Sequence, residues 1–353
     1  ENAGTVIEWL AETHDLSFSV VTDFDYPGHS HRRMHGLPTR SGAELIDALR
    51  TACEAAEIDI ICERHAQNLY YDGNKITGAS VKGPDGQSDT IECQKLILAC
   101  NGFGGNRALV AQHMPDIYDA LWFGHDGNQG EAIDWASGLD AQLKHLGAYQ
   151  GHGNVAHPYG ILITWAVITE GGIQVNTEGH RFWNEAQGYS EAARAVLSQT
   201  DGQAFAIFDA RIAAIARQFE DFKRAEQVGA IKTAETLDGL AECLGLPSEA
   251  LAYTVQSIPW GQHDEFGRAF GDTKLTAPFC GVKVTGALFH TQGGLAINTM
   301  AQVVRNDGSP IENLYAGGGA ACGVSGRKDS GYLSGNGLLT AVVLGKIAGA
   351  AGL

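Results

Sequence analysis

Glycine constrains the end of this chain more than any other feature does. Eight glycines fall among residues 317–337. Leu314, Tyr315 and Ala316 before them read as a short apolar strand, and Leu338 to Ala348 after them carry apolar residues at helical spacing. A loop so poor in Cβ atoms lets backbone approach a ligand closely. The helix that follows aims its N-terminus, with unpaired N–H groups and partial positive charge, back at that loop. Such an end stabilises an anion or an electron-rich carbonyl. A tight structural turn packing a helix on a sheet accounts for the same residues.

The 353 residues, 44% of them hydrophobic, suffice for a large core and two domains. The formal charge of -17, from 24 Lys+Arg against 41 Asp+Glu, argues against nucleic acid or anionic membrane as a partner. No apolar run reaches the length of about 18 residues that spans a bilayer. Seven cysteines without a CxxC pair predict reduced thiols in a cytoplasmic setting, and no metal site. The chain opens Glu1-Asn2 with no dinucleotide-binding glycine motif after a first strand, which reads as an internal point of a longer protein.

In chain order, Thr5 to Thr13 predicts a helix and Phe18 to Thr22 a strand. Residues 26–42 form an irregular loop holding His29, His31, His35, Arg32, Arg33 and Arg40, either facing a polar ligand or solvated. Ser41 with Glu44 predicts a capping box on a helix whose apolar face is Leu45, Ile46, Ala48, Leu49 and Ala52. Ile58 to Cys62 reads as a buried strand. Ala66–Tyr71 and Lys75–Val81 read as a hairpin about Asp72-Gly73-Asn74, with a third strand through Asp89 to Cys93. Lys95 to Cys100 is a buried strand ending at Asn101 and Gly102, where open α/β sheets place ligands. A helix is expected from Glu131 to about His145, loop from Tyr149 to Tyr159, and a hairpin over Gly171 to Glu185. Helices are expected at 190–197, 210–228, 237–243 and 248–256. Strands return at Lys283 to Leu288, and as a pair at Leu295–Asn298 and Gln302–Arg305. The expected fold class is α/β with an α+β insertion. A Rossmann-like domain is split into pieces 1–105 and 286–353 about an inserted capping domain, 106–285.

Several stretches together resemble the fumarate reductase/succinate dehydrogenase-type flavoproteins, which include soluble fumarate reductases and 3-ketosteroid dehydrogenases. They are Gly171 to Asn176 with Gly179 to Glu185; Phe289 to Leu295; Asp307-Gly308 with Asn313 to Gly318; and Gly331 to Leu338 followed by Gly345 to Gly349. With the Arg33–His35 and Gly151–Gly153 regions they extend over nearly the whole chain. The resemblance implies FAD between a cofactor domain and a cap, with redox at a carbon–carbon bond. It implies cofactor contacts from Asn101, Gly102, Gly293, Gly317, Gly318, Gly331, Ser334, Gly335, Asn336, Gly337 and Leu338. The partners implied are a small-molecule substrate and an electron donor or acceptor.

The sequence departs from that pattern in three places. The N-terminal βαβ segment of the family is missing. Gly319 stands where many members have Glu. Tyr332 stands where fumarate reductases have a carboxylate-clamping Arg, and Arg211 lies about two residues out of register with their acid-catalyst arginine. A bidentate arginine is hard to replace in dicarboxylate recognition. The resemblance therefore leans to ketosteroid dehydrogenases. Tyr332, His290 and Arg211 are the expected catalytic residues; Thr291, His152, Arg181, Glu185 and Arg327 are expected toward substrate. Arg181 with Glu185, four residues on, also reads as a structural ion pair. The alternatives are a reductase or dehydrogenase of unsaturated di- or tricarboxylates, and, in another class, a flavin-free fragment or non-catalytic binding protein.

Overall fold

The computed structural model describes residues 2–22, 26, 28–73 and 75–352. Pro27 of the basic loop and Asn74 of the hairpin turn lie outside the described residues. The elements that position the site are strands β1 (Leu96–Leu98), β2 (Tyr149–Ala156), β3 (Gln203–Asp209), β4 (Phe279–Thr291) and β5 (Pro310–Ala316), and helices α1 (Tyr189–Leu197) and α2 (Asn336–Ala350).

The larger sheet is built on β4. It pairs antiparallel with β2, from Val284↔Ala156 to Thr291↔Tyr149, and with β3, from Gln203↔Thr285 to Asp209↔Phe279. Strand Ile173–Val175 extends the sheet beyond β3. Phe205, Ile207, Phe208, Val282 and Val284 are buried on these strands among Ile212, Phe222, Leu240 and Leu251. Both faces are covered, so the strands read as continuous apolar runs rather than alternating ones.

The smaller sheet is the α/β part. β5 pairs parallel with β1, Leu314↔Leu96 through Ala316↔Leu98, and antiparallel with Gln302–Val304. A three-stranded antiparallel sheet (His65–Tyr71, Ile76–Lys82, Ser88–Glu92) is fastened to it by Asn313. The Asn313 side chain accepts from Ile76 N at 2.9 Å and donates to Ile76 O at 2.7 Å. The carboxyl ends of β1 and β5 open into Asn101-Gly102 and Gly317-Gly318, and α2 covers the second: a Cβ on Gly317 would lie 3.2 Å from Leu344 Cβ. The fold is α/β, as expected. β4 runs unbroken through positions 285 and 286.

Several expected elements differ. Residues 149–156 form β2, not a loop. Its Gly151 and Gly153 are there because α1 crosses at backbone distance: a Cβ would stand 2.7 Å from Ala193 Cβ and 2.4 Å from Ala192 Cβ. Ile58 to Cys62 is not a buried strand. Ile58, Ile60 and Ile61 are more than half exposed, because no described strand lies beside them to complete a ladder. The helix begun at Glu131 stops at Gly138, where Asp140 adopts φ 52. The run 210–228 breaks into helices Ala210–Ala216 and Glu220–Gln227. The second arm of the expected 171–185 hairpin forms no strand, since Ile173–Val175 pairs with β3 instead. The Leu295–Asn298 arm pairs chiefly elsewhere: Gly294–Leu295 joins Leu143–Lys144, leaving one bridge, Ile297↔Val303. β3, central to the larger sheet, went unread. In the helix Gly42–Ala55, Ser41 caps Ala43 N as expected, but Glu44 bonds Thr39 rather than Ser41, and Ile46 is 62% exposed.

Candidate active site

Four backbone segments converge: the end of β4, the turn after β1, the glycine loop entering α2, and the head of α1. At the end of β4 the His290 ring lies edge-on to Tyr332, centroids 6.0 Å apart. A Cβ on Gly337 would stand 2.6 Å from His290 Nε2, so only glycine fits there. The Gly337 amide and Tyr189 lie beside the Tyr332 phenol and favour its charged form. Burial outweighs them and pushes its pKa up to about 12. Burial likewise lowers the His290 pKa against the opposing Thr291 carbonyl, leaving a neutral ring that contacts the Gln292 amide at 2.9 Å.

Thr291 turns toward the β1 end. Its Oγ1 accepts the Phe103 amide at 3.4 Å, and a Cβ on Gly102 would overlap it at 1.8 Å. Asn101, at φ 61, accepts the Gly102 amide on Oδ1 at 2.9 Å, and that oxygen lies 2.1 Å from where a Gly319 Cβ would be. The substitution of glycine for glutamate at 319 therefore matches a close backbone approach. Gly331 and Gly335 have φ of 92 and 85, which favour glycine. Gly335 packs under Met34, and His29 Nε2 lies 3.1 Å from Ser334 O. The basic loop thus walls the glycine loop, although Arg32 and Arg33 themselves are exposed.

Tyr189, at the head of α1, was missed in the sequence. Its hydroxyl is 2.9 Å from Ser334 Oγ and its ring centroid 6.0 Å from that of Tyr332. The only local signal is an aromatic residue directly after Gly188, which sits at φ 123. Behind it the rings of His152, Phe289 and Phe123 are stacked, with successive centroids 4.9, 5.4 and 4.6 Å apart. His152 accepts the Asn154 amide on Nδ1 at 3.1 Å, and burial drives its pKa down to about 3, so it is neutral.

Other expected site residues are not brought in. Arg211 is held by the Glu170 carbonyl at 2.9 Å and flanked by the Glu170 and Asp209 carboxylates, away from the glycine loop. Arg181 is closed in a buried network with Glu185 and Asp264, and Arg268 Nη1 reaches the same Glu185 at 3.2 Å. Each guanidinium nitrogen of Arg181 and each carboxylate oxygen of Glu185 faces a partner, as a structural ion pair would. Arg327 is exposed on the loop. No cluster of metal ligands occurs among the described residues.

The site suits a flat, electron-rich group. Gly331, Gly335 and Gly337 present backbone rather than side chain, and α2 starts beside them without a side-chain cap, its Asn336 amide bonded to Leu333 O. Asn101, Gly102, Gly317 and Gly318 line the carboxyl ends of β1 and β5, whereas the expected Gly293 packs against the backbone of His145 and Leu146.

The comparisons agree. The family model described as FAD binding domain matches residues 1–338. The probable fumarate reductase Ifc3 of Shewanella frigidimarina is 30% identical over 359 residues, covering 99% of this chain and 59% of that protein. A 3-oxosteroid 1-dehydrogenase of Mycobacterium tuberculosis is 26% identical over 336 residues, covering 81% and 58%. The open conformation of a flavocytochrome c3 fumarate reductase superposes with a TM-score of 0.78 at 28% identity, over 99% of this chain and 62% of that one. The chain thus spans about three fifths of the length of these proteins. No helix of the described residues is long and apolar enough to cross a membrane. Matched by that family model over residues 1–338, the chain belongs to the FAD binding domain family.

Proposed function

We propose that this chain is the flavin- and substrate-binding part of an FAD-dependent oxidoreductase acting on a carbon–carbon bond next to a carbonyl, with a neutral substrate. Its cofactor pieces are 1–105 and 286–353, and 106–285 supplies the cap. The observation that carries the reading is the paired phenols, Tyr332 and Tyr189, at the glycine loop. Bound FAD supplies hydride transfer. Ser334 to Gly337 and the start of α2 hold the flavin edge, and the helix end favours negative charge there. Tyr332, protonated by virtue of its raised pKa, donates to the substrate carbonyl oxygen. Tyr189, whose pKa burial also raises, holds the proton exchanged at the adjacent carbon. The stacked His152, Phe289 and Phe123 keep water from the reacting atoms.

Relatives named fumarate reductase favour a second reading, an unsaturated dicarboxylate. The partners of Tyr332 oppose it: Tyr189, His290 and the Gly337 amide carry no cation. Thermal-shift titration of the FAD-loaded chain decides between them. A cyclic α,β-enone or 3-ketosteroid is expected to raise the melting temperature while fumarate does not. Stabilisation by fumarate alone would refute the neutral-substrate reading.

A further inference from the structure

The glycine loop lies along α1 in antiparallel fashion, and three successive contacts join them in reverse order. Ser334 Oγ meets Tyr189 Oη at 2.9 Å, the Gly331 amide donates to Glu191 Oε1 at 3.4 Å, and Asp329 Oδ2 meets Arg194 Nη2 at 2.9 Å. The Asp329 carboxylate is 7% exposed, whereas the Arg194 side chain is half exposed, so the loop end of the pair is the buried one. The loop is pinched at its base: a Cβ on Gly326 would stand 2.3 Å from Ser330 O, and one on Gly331 would stand 3.3 Å from Gly326 Cα. Arg327 to Ser330 therefore form a small projection whose inward side chain is Asp329. The Tyr149 hydroxyl of β2 lies buried without a hydrogen-bond partner, and Asp329 is the carboxylate that most raises its pKa after burial itself. Glu191 feels Asp329 as well.

We propose that Arg194, Glu191 and Asp329 form a latch that positions the Tyr332 loop against α1, making Asp329 and Arg194 positioning residues for the phenol three residues beyond. The proposal rests on the reading of Tyr332 as a site residue. Among the described residues Arg194 is the one guanidinium paired with Asp329, and it also faces Glu191; without it, a buried carboxylate is left beside a second carboxylate and a Tyr hydroxyl. Such a pair is costly to break from one side. Asp329 and Tyr332 stand three residues apart on either side of Gly331, so fixing the pinched projection against α1 also fixes the segment that carries the phenol.

The test needs neither flavin nor substrate, so its failure is distinguishable from failure of the catalytic reading. Amide hydrogen exchange of residues 325–335 and nitration of Tyr332 by tetranitromethane are measured in the full chain and in Arg194→Gln, Asp329→Asn and Arg194→Lys. The latch predicts that Arg194→Gln and Asp329→Asn speed exchange of that segment by about threefold or more and open Tyr332 to nitration, with β4 unchanged. Arg194→Lys keeps both near wild type. If Asp329→Asn fails to fold, Arg194→Gln, altered at a half-exposed side chain, carries the test. Unchanged exchange and nitration in Arg194→Gln would overturn the proposal. So would an equal rise across β4, which would mark general loosening, or a failure of lysine to rescue.

Discussion

Tyr189 and Tyr332 reach the same point from opposite sides of the molecule. One heads α1 on the larger sheet, the other stands in the loop entering α2 on the smaller, and their ring centroids are 6.0 Å apart. Neither contributes a charge. The pairing sets two hydroxyl-bearing rings side by side at the glycine loop.

Removing one hydroxyl at a time separates their roles. Tyr332→Phe is expected to lower kcat with the enone by about 10²-fold or more, with a smaller change in KM. Tyr189→Phe is expected to lower kcat similarly and to leave flavin uptake intact. Steady-state kinetics on the FAD-loaded chain checks both.

His152 ties stability to pH. Its folded pKa of about 3 lies below the ordinary imidazole value of 6.5, so between these the unfolded chain binds the extra proton. Stability from this group is intact above about 6.5 and falls as pH drops toward 3, by at most about 1.4 kcal/mol per pH unit. His152→Gln should flatten the melting temperature between pH 6.5 and 4 relative to wild type.

The buried Arg181–Glu185–Asp264–Arg268 network is structural. Glu185→Ala leaves Arg181 and Arg268 buried without their shared carboxylate and is expected to cost about 3–5 kcal/mol in denaturant unfolding. A conservative change at the exposed Arg327 should alter neither stability nor KM.

Gly153 is set by packing. Gly153→Ala would drive a Cβ into the Ala192 backbone at 2.5 Å and is expected to destabilise by about 1–3 kcal/mol, through displacement of α1 and with it Tyr189. Chemical denaturation and the kcat of the variant measure the two consequences.

The glycine loop, the helix after it and the strand ends at Asn101 and Ala316 were legible because backbone needs, not side-chain contacts, dictate those residues. Tyr332 and His290 were singled out by resemblance alone, and the structure sets their rings edge-on to each other. Tyr189 was not: nothing in the spacing around Gly188 distinguishes a site tyrosine from a core one, and its partner Ser334 is 145 positions away. Arg211 stands at a helix start, which also calls for charged residues, and Asp209 caps that helix by accepting Ile212 N. β2 was read as loop because its glycines look like breakers; in the fold they are the places where α1 comes closest. The run Ile58–Cys62 misled in the opposite direction, since apolar β-branched residues mark a strand only where a neighbouring strand exists.

The most direct test is FAD uptake by the purified chain, followed in the visible spectrum, with Gly337→Val beside it. Stoichiometric flavin with a spectrum shifted from that of free FAD, lost in Gly337→Val where a side chain would collide with His290, is the predicted result. No uptake by the wild-type chain, or equal uptake by the valine variant, would contradict the assignment of the glycine loop as the flavin's cradle.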